Sequence, residues 1–183
     1  MDPQFSEVRF NEPALPPAWQ WAVSLNISYP NYRLFYNLQE RLGYEWVVLL
    51  FDVDILMDIP FYFFPYPAAR MIRMSHFQKE IAPFLQYTQS FEKLFIDTEN
   101  VQRSVLEIPD SYPTNPQSEA LTFSPVPIRY LREVHFYNEY KFNQWFLQNM
   151  EFALTIEKKL WQTGLTYFSP RLDYIHWKSR PTR

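Results

Sequence analysis

Three histidines and three closely spaced aspartates are the side chains of this 183-residue chain with the strongest claim to chemistry. His76, His135 and His176 lie far apart, with no HxH or HxxxH pairing, so a metal site would need the fold to bring them together with carboxylates. Asp52, Asp54 and Asp58 fall on one parity of a period-two stretch. Carboxylates so placed can share a metal ion or divide into an acid and a base. The same pattern also makes a solvated face, or a surface that pairs with arginines of a neighbouring subunit, and that is the reading adopted. A private active site around these aspartates is the enzymatic alternative. Ser90, Ser104 and Ser124 have no nucleophile motif around them, and Glu107 and Asp110 sit in a loop without a basic partner nearby in sequence.

Composition narrows the field further. Gly43 and Gly164 are the only glycines. Loops that cradle phosphates, and nucleophile elbows, need glycine so that the backbone can approach a ligand or take positive φ. GxGxxG, GxxxxGK[ST] and GxSxG are all absent. With no cysteine there is no disulfide, zinc knuckle, thiol nucleophile or iron–sulfur site. We therefore expect no enzyme, cofactor, metal site or small-molecule substrate. The net charge of −3 lacks the basic stripe of a nucleic-acid binder, so no direct nucleic-acid recognition is expected. No apolar run reaches the ~18 residues of a membrane span; Trp46–Phe64 comes nearest and is interrupted by Asp52, Asp54, Asp58 and Pro60. The first residues, MDPQFSEVRFNEP, are too acidic and polar for a secretory or Arg-rich targeting peptide. Aromatic residues make up 20% of the chain, more apolar surface than a lone domain needs, and the surplus points to interfaces.

The elements that must position these residues can be read in order. Residues 1–17, with Pro3, Pro13, Pro16 and Pro17, form an extended N-terminal arm. A single domain follows over 18–169. Trp19–Ile27 alternates as a short strand or opens a helix. Asn31 caps a helix over Tyr32–Leu42, which Gly43 ends. Glu45–Ile59 alternates over its whole length, as one long strand or two pieces bent near Asp52. Phe61–Phe64 is a short extended aromatic run. Pro67 starts a helix over Ala68–Lys79 with Arg70 and Arg73 facing out. Ile81–Gln89 is an edge strand around Pro83, and Phe91–Ile96 a further short piece. Residues 97–122 form a long polar loop of the kind often bound to a partner. Ile128–Tyr137 is a strand, and Asn138 caps a helix over Glu139–Asn149 whose stripe is Phe142, Trp145, Phe146 and Met150. Short strands around Phe152–Ile156 and Leu165–Phe168 flank a turn at Thr163–Gly164. Residues 170–183 make a basic aromatic tail, and deleting Tyr174–Arg183 should spare folding and damage assembly. The whole reads as α+β (mixed α/β): a largely antiparallel sheet packed with about three helices and carrying extended N- and C-terminal arms. Candidate interface residues are Asp52, Asp54 and Asp58, then Arg70 and Arg73, and in the tail Tyr174, Trp177 and Arg180.

Three segments carry a family resemblance. Asp54-Ile-Leu-Met-Asp-Ile-Pro60-Phe-Tyr-Phe-Phe-Pro-Tyr-Pro-Ala-Ala-Arg70-Met-Ile looks like a strand ending in a V-P-I-x-Y run before a Pro-started helix. Ile81-Ala-Pro83-Phe-Leu-Gln-Tyr-Thr-Gln-Ser-Phe91 is similar to an L-P-x-(M/I)-S-F strand. Ser124-Pro-Val-Pro127-Ile-Arg-Tyr130, with Tyr137-Asn-Glu139 and the helix after it, resembles T-P-V-P-Y…Y-T-x-N-x-E-D…Q-I-x-E-Q-I. In this order, over roughly residues 45–156, they resemble tail-completion proteins of contractile-tailed bacteriophages, of the tail-terminator and proximal sheath-stabiliser type. The chain departs from that pattern where Phe64-Pro-Tyr-Pro67 replaces a Gly-rich turn and Glu139 stands for an acidic pair. The resemblance implies a non-enzymatic virion protein, assembled in the host cytoplasm, whose partners are copies of itself in a homo-oligomeric ring and other tail or connector proteins. The alternative expectation is a supernumerary subunit of a large cellular complex, such as one of the mitochondrial inner membrane.

Overall fold

A computed structural model describes residues 19, 21–32, 34–35, 46–72, 88–154 and 160–178. Among these residues six strands form two three-stranded sheets: β1 (Val23–Asn26), β2 (Val47–Phe51), β3 (Tyr62–Phe64), β4 (Glu119–Thr122), β5 (Leu131–Phe136) and β6 (Trp161–Thr163). The first sheet has the order β1-β4-β3 and is antiparallel throughout. The second has the order β2-β5-β6, with β2 antiparallel and β6 parallel to β5. Among the described residues the longest helix is the ten residues Glu139–Gln148; the other helical pieces run three to five residues. The architecture is mixed α+β.

Both faces of the first sheet are covered. On one, Phe64 and Leu121 pack with Trp19, Ala68 and Ile72. On the other, Phe63 and Ala120 pack with Phe61, Ile55 and Leu94. This follows from register: Ala120 lies between Leu25 and Phe63, whereas Leu121 lies between Ser24 and Tyr62, and adjacent residues of a strand point to opposite faces. The second sheet buries Leu131, Val134 and Phe136 against Phe142, Trp145 and Trp161. Leu131 has the wrong parity for this, and a bulge corrects it. Leu50 pairs with Glu133 and Phe51 with Leu131, so Arg132 is the extra residue. Asn138 caps Glu139–Gln148 as its sequence predicts, its Oδ1 accepting from Lys141 N at 2.9 Å.

Several expectations need correction. The alternation through Asp52, Asp54 and Asp58 is not one strand face: β2 stops at Phe51 and Ile55–Asp58 is helical. The Asp52 carboxylate accepts from Asp54 N at 3.1 Å, and an aspartate bonding the backbone two residues on favours a turn over a ladder. Within the polar stretch 97–122, Glu119–Thr122 is the wholly buried central strand β4. Thr88 and Gln89, expected in an edge strand, belong to the helix Thr88–Glu92. Phe152 lies in the helix Met150–Ala153 and Leu154 in a turn, because Ala153 and Leu154 donate to Asn149 and Met150 four residues back. Leu165–Phe168 is a turn closed by Phe168 N on Leu165 O. Residues 170–178 are not a free tail. They dock on the body through buried Arg171, Asp173 and Trp177. The N-terminal arm, the helix interior and end at 36–43, residues 81–87 and Ile156 lie outside the described residues, as does most of the helix expected over Ala68–Lys79 beyond Ile72.

Candidate functional site

A cleft of about 860 Å³ is bordered by both sheets. Two unbroken runs line it, Ser24–Pro30 from β1 and the turn after it, and Trp46–Val53 from β2 and its flanks. A strand that presents a face contributes every second residue; a run without gaps presents its backbone edge. Among the described residues, β1 pairs only with β4 and β2 only with β5. Among the described residues, no backbone hydrogen bond reaches the outer side of either strand. Two open sheet edges therefore border one cleft. Its apolar floor is Leu25, Ile27, Phe91 and Phe95, the residues that cover the Ala120 face of the first sheet.

Polar groups sit at its ends. The bulge residue Arg132 reaches Asp52 at 3.4 Å. Ser28 holds a positive φ of 60°, and its hydroxyl donates to Ser111 O at 2.6 Å; a left-handed conformation costs a non-glycine residue about 1–2 kcal/mol, here offset by that bond. The Tyr29 hydroxyl lies 2.7 Å from Thr166 O and 2.6 Å from Ser169 O, so its one proton is shared between them. Burial pushes its pKa up, as it does for Tyr167 on the cleft wall.

The other aspartates stay outside. Asp54 is exposed. Asp58 accepts from Arg129 at 3.3 Å and from the Tyr130 hydroxyl, while the Arg129 guanidinium lies 4.6 Å from the Tyr130 ring centre. The three carboxylates thus do not converge, and Asp52 and Asp58 are paired with arginines of their own chain. His135 pairs with Glu133 at 2.6 Å, His176 stands on the C-terminal helix Tyr174–Lys178, and His76 lies outside the described residues. Among the described residues, no group of three or more His, Asp or Glu is placed to hold a metal ion. Arg73 and Arg180 also lie outside the described residues. Arg70 is in the helix Ala68–Ile72. Tyr174 packs edge-on to Tyr32 at 5.2 Å. Trp177, expected at an interface, is instead 6% exposed and donates its indole N–H to Asp173 at 2.8 Å. Among the described residues, no helix is long and apolar enough to cross a membrane.

Sequence reasoning missed the buried polar seam beside the cleft. Arg171 Nε donates to Asp173 Oδ1 at 2.7 Å, and its two terminal nitrogens donate to Pro113 O at 2.8 Å and Thr114 O at 3.1 Å. Asn31 N donates to Asn26 Oδ1 at 3.1 Å, and Asn26 Nδ2 to Ser118 O at 3.4 Å. Glu119, on central strand β4 and opposite the cleft-rim residue Asn26, is 5% exposed and accepts from Ala68 N at 3.3 Å. The signal available was the polar cluster Thr114-Asn-Pro-Gln-Ser-Glu119, which composition alone assigns to a loop. No protein-family model matches the chain, and no curated protein matches it.

Proposed function

We propose that the chain is a structural protein of a phage tail or neck, one subunit of a ring that caps or joins tail tube, sheath and connector. The sequence resemblance supplies that assignment. The observation that supports an assembly role is the pair of exposed apolar patches at opposite ends of β5. Before the strand stand Met57 (86% exposed) and Ile128 (63%), on segments tied together by the Asp58–Arg129 pair. After it, Tyr140 (64%) and Leu147 (71%) lie seven residues apart, on the helix side away from Phe142 and Trp145. A strand of β5's length separates the two by about 17 Å. A ring needs two unlike surfaces per subunit that meet head to tail, and large exposed apolar patches mark such contacts. Met57→Glu and Leu147→Glu should each abolish association and leave the melting temperature within a few degrees of wild type; mixed, the two variants should form pairs through their one intact contact but no closed assembly. Unaltered association in both variants would contradict the reading.

A further inference from the structure

β2 is an unguarded edge. Natural sheets blunt their edges with charge, proline or a bulge in the edge strand. β2 reads Val-Val-Leu-Leu-Phe and carries none of these, the extra residue of its pairing being Arg132 on β5. Its free groups can be named. Asp52 N donates toward β5, to Tyr130 O at 2.7 Å, and successive residues of an antiparallel strand turn their N–H and C=O groups to alternate sides. Val47, Leu49 and Phe51 therefore turn theirs away from β5, and all three line the cleft. β1, Val-Ser-Leu-Asn, brings a second uncharged edge to the same cleft from the other sheet.

Two edges in one cleft discriminate among occupants. The edge strand of another folded sheet has one free side, so it could bond β1 or β2 but not both. An apolar small molecule would cover the floor of Leu25, Ile27, Phe91 and Phe95 and leave the main-chain groups of both edges unpaired, each at a cost comparable to a lost hydrogen bond. A chain segment outside any sheet has both sides free. We propose that the cleft binds an extended peptide of a partner protein, with apolar side chains at alternate positions and a lysine or arginine at one end. Strand addition of this kind takes affinity from main-chain hydrogen bonds and specificity from pockets for alternate side chains. The floor receives the apolar side chains. The cation answers Asp110, an exposed residue on the cleft wall whose carboxylate no ion pair reaches among the described residues. The cleft's own Arg132 is matched by Asp52. The wall is set before anything binds. Every carbonyl from Pro109 to Thr114 accepts a side-chain hydrogen bond: Arg103 donates to Pro109, Asp110 and Tyr112, Ser28 to Ser111, and Arg171 to Pro113 and Thr114. A preorganised site loses less binding energy to ordering. The proposal goes beyond the assembly reading and does not rest on it.

Amide hydrogen exchange on the full chain tests this with two synthetic probes, acetyl-KVTVTVT-amide and acetyl-TVTVTVK-amide, which place the cation at either end. At saturation one of them should slow the outward amides of Val47, Leu49 and Phe51, and alternate amides of Val23–Asn26, at least about tenfold. Asp110→Asn should weaken that peptide about twofold to fivefold, the range of an exposed ion pair. The same peptide N-methylated along its main chain should give no protection. Slowed exchange at one edge only would overturn the two-edged seat, and binding that survives N-methylation would overturn strand addition in favour of an apolar ligand. Edge amides already slow without peptide would overturn an open site; slowness that comes and goes with the mass measured by light scattering would assign the edges to a contact between copies instead. No change with either peptide at millimolar concentration would overturn the proposal and leave untouched the assembly reading, which rests on the Met57 and Leu147 patches.

Discussion

Arg171 is enclosed by acceptors from three residues, Asp173, Pro113 and Thr114, with the Tyr112 ring 5.8 Å from its guanidinium carbon. Removing its carboxylate partner strands a buried positive charge. Asp173→Ala should therefore cost about 3–5 kcal/mol in urea denaturation, and a loss below about 1 kcal/mol would mean that water reaches the pair. Tyr29 makes a pH prediction. Burial raises its folded-state pKa, so its contribution is whole below the unfolded tyrosine value of about 10 and is lost as pH rises through the higher folded value. The unfolded chain gives up the proton first, so stability must fall on the alkaline side. Tyr29→Phe should flatten that alkaline slope while lowering stability at pH 7; an unchanged slope would show that other phenols dominate. Neither residue could be picked out in the sequence. Arg171 stands in a basic run that reads as solvated, and Tyr29 in a Tyr-Pro-Asn turn. Burial of each depends on segments 57 to 140 positions away in the chain, and no local pattern records such distances.

At the scale of elements, the strand–cap–helix unit 131–148 was legible because local signals agree there: the alternation of Val134 and Phe136, Asn138 as cap, and Phe142 with Trp145 one turn apart. What the sequence overstates is the helix's depth. Every residue of Glu139–Gln148 keeps some solvent exposure, and Met150, assigned to its buried stripe, is exposed. Trp145 is half-buried against Phe136 and Trp161. Trp145→Ala should cost about 2 kcal/mol, below the ~3–5 kcal/mol of a fully buried tryptophan. A cost at the top of that range would mean that further chain covers the helix. Elements held by tertiary contact were illegible. β4 reads Glu-Ala-Leu-Thr, with no apolar alternation, and becomes a central strand because β1 and β3 flank it. The Asp52 turn was hidden by a period-two pattern that a side-chain hydrogen bond interrupts.

At the scale of the molecule, the fold class was readable from the irregular succession of strand and helix patterns, and the candidate site was not. The cleft arises because, among the described residues, two separate sheets leave β1 and β2 unpaired on their outer sides, a property of strand order rather than of any motif. The aspartates singled out for their spacing split between the cleft end and the outer surface. The tail expected to be dispensable carries Trp177 into a cluster with Val101 and Leu106. Open edges invite pairing with other chains, and two exposed apolar patches at opposite ends of one strand offer unlike surfaces; on these the proposed assembly role rests. The most direct test is the mass of the purified full chain by light scattering across concentrations. A closed assembly would give a discrete multiple of 22.3 kDa that persists over a range of concentration; a mass fixed at 22.3 kDa at every concentration would contradict it.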